Sequence, residues 1–343
     1  MDIRSMNLEE MEALAISLGE KAFRGKQLFQ WVHEKQADDF DEMTNLSAAF
    51  REKLKENYCI SGVRQVEKQV SKKEDTAKYL FALEDDHVIE SVWMKYRHGN
   101  SVCISSQVGC RMGCTFCAST LTGLTRNLTA GEMLSQIYQI QKDTKERVSN
   151  IIVMGEPLDN YEELLRFIKL VSCEKGIGIS QRNITVSTCG LVDKIRMLAD
   201  EKLQITLAIS LHAPNDEIRR QTMPIANRYT IGEIIQACKY YFDKTGRRIT
   251  FEYSMIRGVN DKEEHAKELA GRLSGLNCHI NLIPLNEVKE RNCYRSTKED
   301  IEKFKTILEK YRKTVTIRRE MGSDIDAACG QLRKKFLTKN GRN

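Results

Sequence analysis

The stretch Cys110-Arg-Met-Gly-Cys114-Thr-Phe-Cys117 constrains this chain more than any other. It sets three cysteines within eight residues, with three residues and then two between them. Thiolates are soft anionic ligands, and several on one short loop suit zinc or an iron–sulfur cluster. Four protein ligands close such a site, whereas three leave a position open, and an open position on a metal is where chemistry happens. Gly109 and Gly113 flank the first two cysteines and let the backbone curl so that the sulfurs converge. Phe116 is placed to shield one side of the bound group. A structural zinc loop with a fourth ligand from elsewhere accounts for the same spacing.

A site of this kind needs a scaffold, and the chain is long enough to supply one. Its 343 residues are 41% hydrophobic, sufficient for one large domain or a large one plus a small one. There are 54 basic against 48 acidic residues, a formal net charge of +6, compatible with a nucleic-acid partner without proving one. Eleven cysteines, an odd count, and a charged start without a secretory pattern argue against secretion, so disulfides are disfavoured and a cytoplasmic setting is expected. No stretch approaches the apolar length of a membrane helix.

Residues 1–60 read as a small helical accessory domain, with Leu8, Met11, Leu14 and Leu18 at helical spacing. Its stretch 21–32 mixes Lys21, Arg24 and Lys26 with Phe23, Phe29 and Trp31, either an RNA-facing surface or a solvated face over a small core. Residues 61–100 form a β-rich extension: strands at 63–70, 78–83 and 88–94 joined by charged turns. The strand Ser101–Ser105 then delivers the chain into the cysteine loop. Apolar strands follow at 150–154, 183–187, 205–210, 249–255, 279–283 and 315–317, alternating with helices; Thr129/Glu132 and Thr230/Glu233 have capping-box spacing, and Asn160 reads as a helix cap. Near-continuous apolar strands between helices predict a parallel sheet covered by helices. The fold class is therefore α/β, a partial (β/α)6-type barrel over 101–332, with functional groups at the C-terminal strand ends. Residues 333–343 read as a basic, frayed tail.

The strand ends carry small or polar residues that a core-only reading does not explain: Met154-Gly155-Glu156-Pro157, Ser187-Thr188-Cys189-Gly190, Ser210-Leu211-His212 and Pro284-Leu285-Asn286. His212 alone would pass for a satisfied core histidine; beside the other strand ends it points to ligand contact. Near the C-terminus Cys329 lies between Ala328 and Gly330, close to Asp324 and Asp326, either inert packing or an accessible, reactive thiol.

CxxxCxxC, following a strand and opening a βα unit, resembles the cluster loop of the radical S-adenosylmethionine (SAM) enzymes. Ala22-Phe-Arg24-Gly-Lys26-Gln, Ser105-Ser-Gln-Val-Gly-Cys110 and Asp324-Ile-Asp-Ala-Ala-Cys-Gly-Gln-Leu332 together resemble one subgroup, the RNA adenosine methyltransferases that act on 23S ribosomal RNA. Gly155-Glu-Pro157 and Arg318-Arg-Glu320 look more like the carbon-2 (RlmN) type, which also modifies adenosine 37 of tRNAs, than the carbon-8 (Cfr) antibiotic-resistance type. The resemblance implies that Cys110, Cys114 and Cys117 hold a 4Fe–4S cluster. It implies that Gly155, Glu156, Ser187, Ser210, Leu211, His212 and Asn286 line the SAM site. Two SAM are used per turnover: one methylates Cys329, the other yields the radical that activates that S-methyl group. RNA then becomes tethered to Cys329, Glu90 accepts the proton, and Cys103 forms a disulfide with Cys329 as the tether breaks. Without the resemblance Glu90 reads as a solvent-facing strand residue and Cys103 as a buried small one.

The partners implied are 23S rRNA, tRNA and an electron donor such as flavodoxin or ferredoxin, acting on a monomer. Arg24, Lys26, Arg126, Arg247, Arg248 and the basic tail are candidate RNA contacts. One departure is visible: the family's Met-Gly-x-Gly-Glu-Pro is two residues shorter here, as Met154-Gly155-Glu156-Pro157. A zinc-stabilised RNA-binding protein without catalysis is the alternative from another class.

Overall fold

The computed structural model describes residues 1–97, 99–288, 290–322, 324–325, 330–339 and 341. One ten-stranded sheet runs through it. Its edge is an antiparallel extension of β1 (Arg64–Val70), β2 (Thr76–Ala82) and β3 (Val88–Tyr96). β3 pairs antiparallel with β4 (Gly99–Ser105), and from there the order changes character. A small separate hairpin, β5 (Gln107–Gly109) and β6 (Leu124–Asn127), brackets the cysteine loop. Then β7 (Val148–Met154), β8 (Ile184–Thr188), β9 (Thr206–Ser210), β10 (Ile249–Met255), β11 (Cys278–Pro284) and β12 (Thr314–Ile317) add to β4 in sequence order, all parallel. The sheet is open: β1 and β12 are its two edges. The extension expected as a separate hairpin is thus fused edge-on to the parallel strands.

Helices connect the parallel strands, as β–α–β crossovers require. They are α4 (Ala130–Thr144), α5 (Tyr161–Val171), α6 (Val192–Asp200), α7 (Asp216–Thr222), α8 (Ile231–Thr245), α9 (Glu263–Arg272) and α10 (Lys298–Lys310), preceded by α1 (Leu8–Ser17), α2 (Ala22–Phe29) and α3 (Ala48–Asn57), and followed by α11 (Gln331–Lys339). The capping boxes at Thr129/Glu132 and Thr230/Glu233 form as the sequence predicts. Asn160 does not cap α5 with its side chain; its amide donates to the carbonyls of Ser106 (3.0 Å) and Leu128 (2.7 Å), pinning the cysteine-loop hairpin to the sheet. The tail expected to fray instead forms α11, because Leu332 finds an apolar seat with Leu80, Ala82 and Val88. Among the described residues no helix is long and apolar enough to cross a membrane.

The N-terminal helices share the main core rather than building their own: Ile3, Phe29, Phe50 and Leu54 belong to one cluster with Ile137 and Tyr138 of α4. Arg4, fully buried, donates to Ser135 Oγ (2.8 Å), Ala37 O (2.7 Å) and Asp38 Oδ1 (3.1 Å), and His33 Nδ1 meets the Tyr138 hydroxyl at 2.9 Å. Burial, aided by the Arg4 guanidinium, depresses the His33 pKa to about 3. The folded protein therefore resists a proton that the unfolded chain takes up below about pH 6.5. Stability from this residue is complete above that pH and is lost as pH falls towards 3, by about 1.4 kcal/mol per unit. Chemical denaturation at pH 7 and pH 5 should show this slope in the wild type and a shallower one in His33→Phe.

Candidate active site

A strand presents alternate side chains to opposite faces. On the helix-covered face lie Val102, Ile104, Val153, Val186, Leu207, Ile209, Phe251, Tyr253, Ile280 and Leu282, all at most 1% exposed. The alternating positions look the other way. Cys103 pairs with Ile152, Ile152 with Thr185, Ser210 with Glu252, and Glu252 with Asn281. These polar residues line a cavity of about 460 Å³ on the inner face. The same cavity is bounded by Cys110, Cys114, Cys117, Glu90, Cys103, Gly155, Glu156, Ser187, Ser210 and His212. The sequence-predicted site residues thus converge, with three exceptions. Leu211 is buried in the core and donates its N–H to Glu252 O (3.1 Å). Asn286 lines an adjoining hollow together with Cys103. Cys329 lies outside the described residues, although Gly330 lines the cavity.

The cysteine loop is fixed by its own backbone. Cys110 N donates to Gly123 O (3.0 Å), Thr115 N to Thr222 O (2.9 Å), and the Thr120 hydroxyl reaches the carbonyls of Cys114 (3.0 Å) and Cys117 (2.9 Å). Gly109, at φ +80°, passes so close to Gly123 O that a Cβ would collide with it. Phe116 stands edge-on to the His212 ring, centroids 5.0 Å apart, and so closes one side as expected. Burial pushes the Cys110 thiol up to about 12, and Cys114 and Cys117 rise for the same reason, Cys110 and Cys114 also because the neighbouring sulfurs repel further negative charge. Three thiols, two buried and Cys117 half-buried, that resist ionisation next to one another suit a strongly cationic group that would hold them as thiolates. Among the described residues no three Cys, His, Asp or Glu side chains converge tightly enough to share one ion. A cluster gives each sulfur an iron of its own, and the donor set fits one.

The strand-end acids differ in use. Glu156 is fully buried, and burial raises its pKa. Its carboxylate accepts from Cys189 N (2.7 Å), Thr188 Oγ1 (2.7 Å) and Leu158 N (3.3 Å), stitching the end of β7 to β8. Glu252 instead faces the cavity, where the Ser187 and Ser210 hydroxyls donate to it at 3.2 and 3.5 Å. His212 accepts Ser254 N–H at Nδ1 (2.9 Å), which leaves the ring proton on Nε2. Burial and the Arg219 charge depress its pKa to about 3, so it stays neutral. Arg219, itself buried, donates to Cys189 O (2.5 Å) and Leu211 O (3.2 Å), tying two strand ends together.

Glu90 is not the solvent-facing residue its strand suggests. Its side chain is 7% exposed and lies 3.1 Å from the ammonium of Lys78, which is 0% exposed. The carboxylate also accepts from Gly330 N (2.5 Å) and Arg333 N (2.6 Å), clasping the start of α11 to β3. A Cβ on Gly330 would strike the backbone at Ala118 and Ser119, just past the last cluster cysteine, so glycine permits this approach.

Sequence reasoning missed Lys78, Thr185, Glu252 and Asn281. The signal was present: each of these interrupts an otherwise apolar strand at positions of one parity, which a reading of uniformly apolar strands passes over. Gly109→Ala should loosen the cysteine loop by about 1–3 kcal/mol and lower the iron and sulfide bound after anaerobic reconstitution, measured per chain against the wild type.

Comparison with known proteins gives this site a context. Residues 1–60 match the ribosomal RNA large subunit methyltransferase N-terminal domain, and residues 104–270 match the radical SAM superfamily. The chain is 61% identical over 338 residues to a probable dual-specificity RNA methyltransferase RlmN of Lachnospira eligens, covering 98% of this chain and 97% of that one. A counterpart of the same description from Lachnoclostridium phytofermentans is 58% identical over 341 residues, covering 99% and 96%. The crystal structure of a radical SAM methyltransferase from Sphaerobacter thermophilus superposes with a TM-score of 0.92 at 42% identity, over 96% of this chain and 98% of that one. With identities of this size over nearly its whole length, the chain belongs to the RlmN family of radical SAM RNA methyltransferases.

Proposed function

We propose that the protein methylates carbon 2 of an adenosine in 23S rRNA and of adenosine 37 in tRNAs, with Cys329 as the methyl carrier. The dual specificity in the relatives' names supports both RNA substrates. One observation carries the reading. Glu90 and Cys103 look into the cavity bounded by the three cluster cysteines, and Gly330, next in sequence to Cys329, lines that same cavity.

Cys110, Cys114 and Cys117 would hold the cluster, whose chemistry when bound is the one-electron cleavage of SAM, with flavodoxin or ferredoxin as donor. The remaining roles belong to the chain's own residues. Ser187, Ser210, Glu252 and His212 offer SAM a polar wall, while Met154, Ile152 and Phe116 exclude water. Cys329 would take a methyl group from one SAM; once that S-methyl group has given up a hydrogen atom to the radical chemistry that a second SAM supplies, its carbon would bond to the adenine ring, and the ring would then lose a proton and one electron, the electron returning to the cluster. Glu90 removes the ring proton, as the carboxylate beside both Cys103 and the chain next to Cys329 in the cavity lining. Its acceptor positions are engaged by Lys78, Gly330 and Arg333, so it works from a fixed place on β3. Cys103 then bonds to the Cys329 sulfur, and the disulfide releases methylated RNA.

Cys329→Ala should keep its full iron and sulfide content and lose methylation; undiminished turnover rules out the covalent route. Cys103→Ala should accumulate a protein–RNA adduct, visible as a slow species on a denaturing gel. Digestion of the modified RNA and mass spectrometry should give 2-methyladenosine, whereas 8-methyladenosine assigns the carbon-8 activity. A colourless protein holding only zinc after anaerobic purification would overturn the enzymatic reading altogether.

A further inference from the structure

The inner cavity does not end at the sheet. Next to it lies a hollow of about 330 Å³ lined by Met94, Tyr96, Cys103, Arg318, Arg319 and Met321, among others. Beyond that is a shallow groove of about 730 Å³, floored by the β1–β2 turn and the end of β3. Tyr96 borders all three spaces; Arg318 borders the inner two and Arg319 the outer two. The spaces therefore follow one another from the surface to the cysteine loop, with Tyr96 at each junction.

Their chemistry is graded. The outer groove carries Lys72, Lys73, Lys95, Arg97 and Arg319 against Glu74 and Asp75. Lys72, Lys73, Arg97 and Arg319 are exposed, while Lys95 pairs with Glu146. Glu74 accepts Gly322 N–H (2.5 Å), and Asp324 of the C-terminal segment accepts from Ser71 Oγ (2.5 Å) and Lys72 N (2.8 Å), while Asp75 is the exposed acid of the groove. The turn is thereby fastened to the C-terminal segment with the cations facing out. Inward, the hollow mixes Arg318, Glu287 and Glu320 with a soft patch in which Tyr96 packs with Val92, Met94, Met154 and Met321 around Cys103. Phosphates favour a cluster of cations, and an unstacked base favours an aromatic face with polarizable neighbours.

We propose that this groove admits the RNA substrate: Lys72, Lys73, Arg97 and Arg319 hold the backbone of a single-stranded loop, and the target adenine stacks on Tyr96 as it passes to the inner cavity. Only an unpaired base can leave its neighbours and follow such a route. Of the cations picked out in the sequence, Lys26 and Arg248 do not line this groove, and three others have polar partners of their own. Arg24 donates to Gln27 and Asn45, Arg126 pairs with Asp85 and Glu132, and Arg247 donates to Ile205 O and Thr206. This assignment rests on the proposed RNA methyltransferase reaction and names where its substrate enters.

The test uses reconstituted full-length protein and an unmodified tRNA transcript, with binding followed by fluorescence anisotropy across a salt series. Lys72→Glu with Lys73→Glu, and Arg97→Glu separately, should weaken binding about tenfold or more at low salt and flatten the log affinity–log salt slope by about 1 per cation removed. Lys303→Glu, an equal charge change on the exposed side of α10, should match the wild type. Tyr96→Leu should lower kcat/KM for RNA methylation roughly 10–100-fold, and Tyr96→Phe, which keeps the ring, should restore it. If wild-type protein methylates RNA while the groove variants bind as Lys303→Glu does, or Tyr96→Leu turns over normally, the groove assignment is wrong and the reaction stands. If wild-type protein cleaves SAM but neither binds nor methylates RNA, the reaction itself fails and the groove with it.

Discussion

Everything in this protein follows from covering only one side of a pleated sheet. Helices pack on the face that carries Val102, Val186, Phe251 and Ile280, and that burial supplies the folding free energy. A closed barrel of parallel strands would fill its interior with layers of side chains. Here β1 and β12 remain edges, and the inner face keeps Cys103, Thr185, Ser210, Glu252 and Asn281 around a cavity. The same alternation that makes the sheet stable on one side keeps it polar and hollow on the other. The cysteine loop, leaving β4 through β5, has only to fold over that opening to face the ends of β7, β8 and β9 at once.

The second element of the design is a buried charge junction at the sheet's antiparallel edge. Lys78 and Glu90 sit on paired strands, and an ion pair out of water is stable only with its remaining hydrogen-bonding capacity filled. Two backbone amides of the C-terminal segment, Gly330 and Arg333, complete it for Glu90. Chain that would otherwise trail from β12 is thereby held over the cavity mouth, and Leu332 on Leu80 and Val88 reinforces the clasp with apolar contact. The extension is needed for this reason: without β2 and β3, Gly330 and Arg333 would lose their carboxylate acceptor and Leu332 its hydrophobic seat.

Much of this was legible in the sequence because local rules and global fold agree. Strand–helix alternation announced the parallel sheet, and Thr129 and Thr230 announced their helices through capping boxes that do form. The cysteine spacing announced the site. What escaped was long-range. Nothing near Lys78 in sequence indicates that its ammonium meets Glu90, since the pairing depends on the β2–β3 register. Asn160 looked like a cap because asparagines before helices usually are, yet tertiary contacts with Ser106 and Leu128 claim its amide. Helix α11 has one buried leucine in a basic sequence, too weak a pattern to outweigh composition.

The Met154–Pro157 turn shows how tightly one strand end can be tied to the next. Gly155 turns the chain at φ +92° immediately after β7, and Glu156 follows at once, buried against the neighbouring strand end. With Thr188, Cys189 and Leu158 all donating to it, the Glu156 carboxylate is committed to holding β7 and β8 in step. A buried anion left without those donors would cost several kcal/mol, so this loop has little freedom to swing its acid outward. A second carboxylate on the inner face is Glu252, three strands along on β10, where the serine hydroxyls of β8 and β9 orient it. Glu156 thus serves the sheet, while Glu252, oriented by the two hydroxyls, stands on a strand whose position the register fixes.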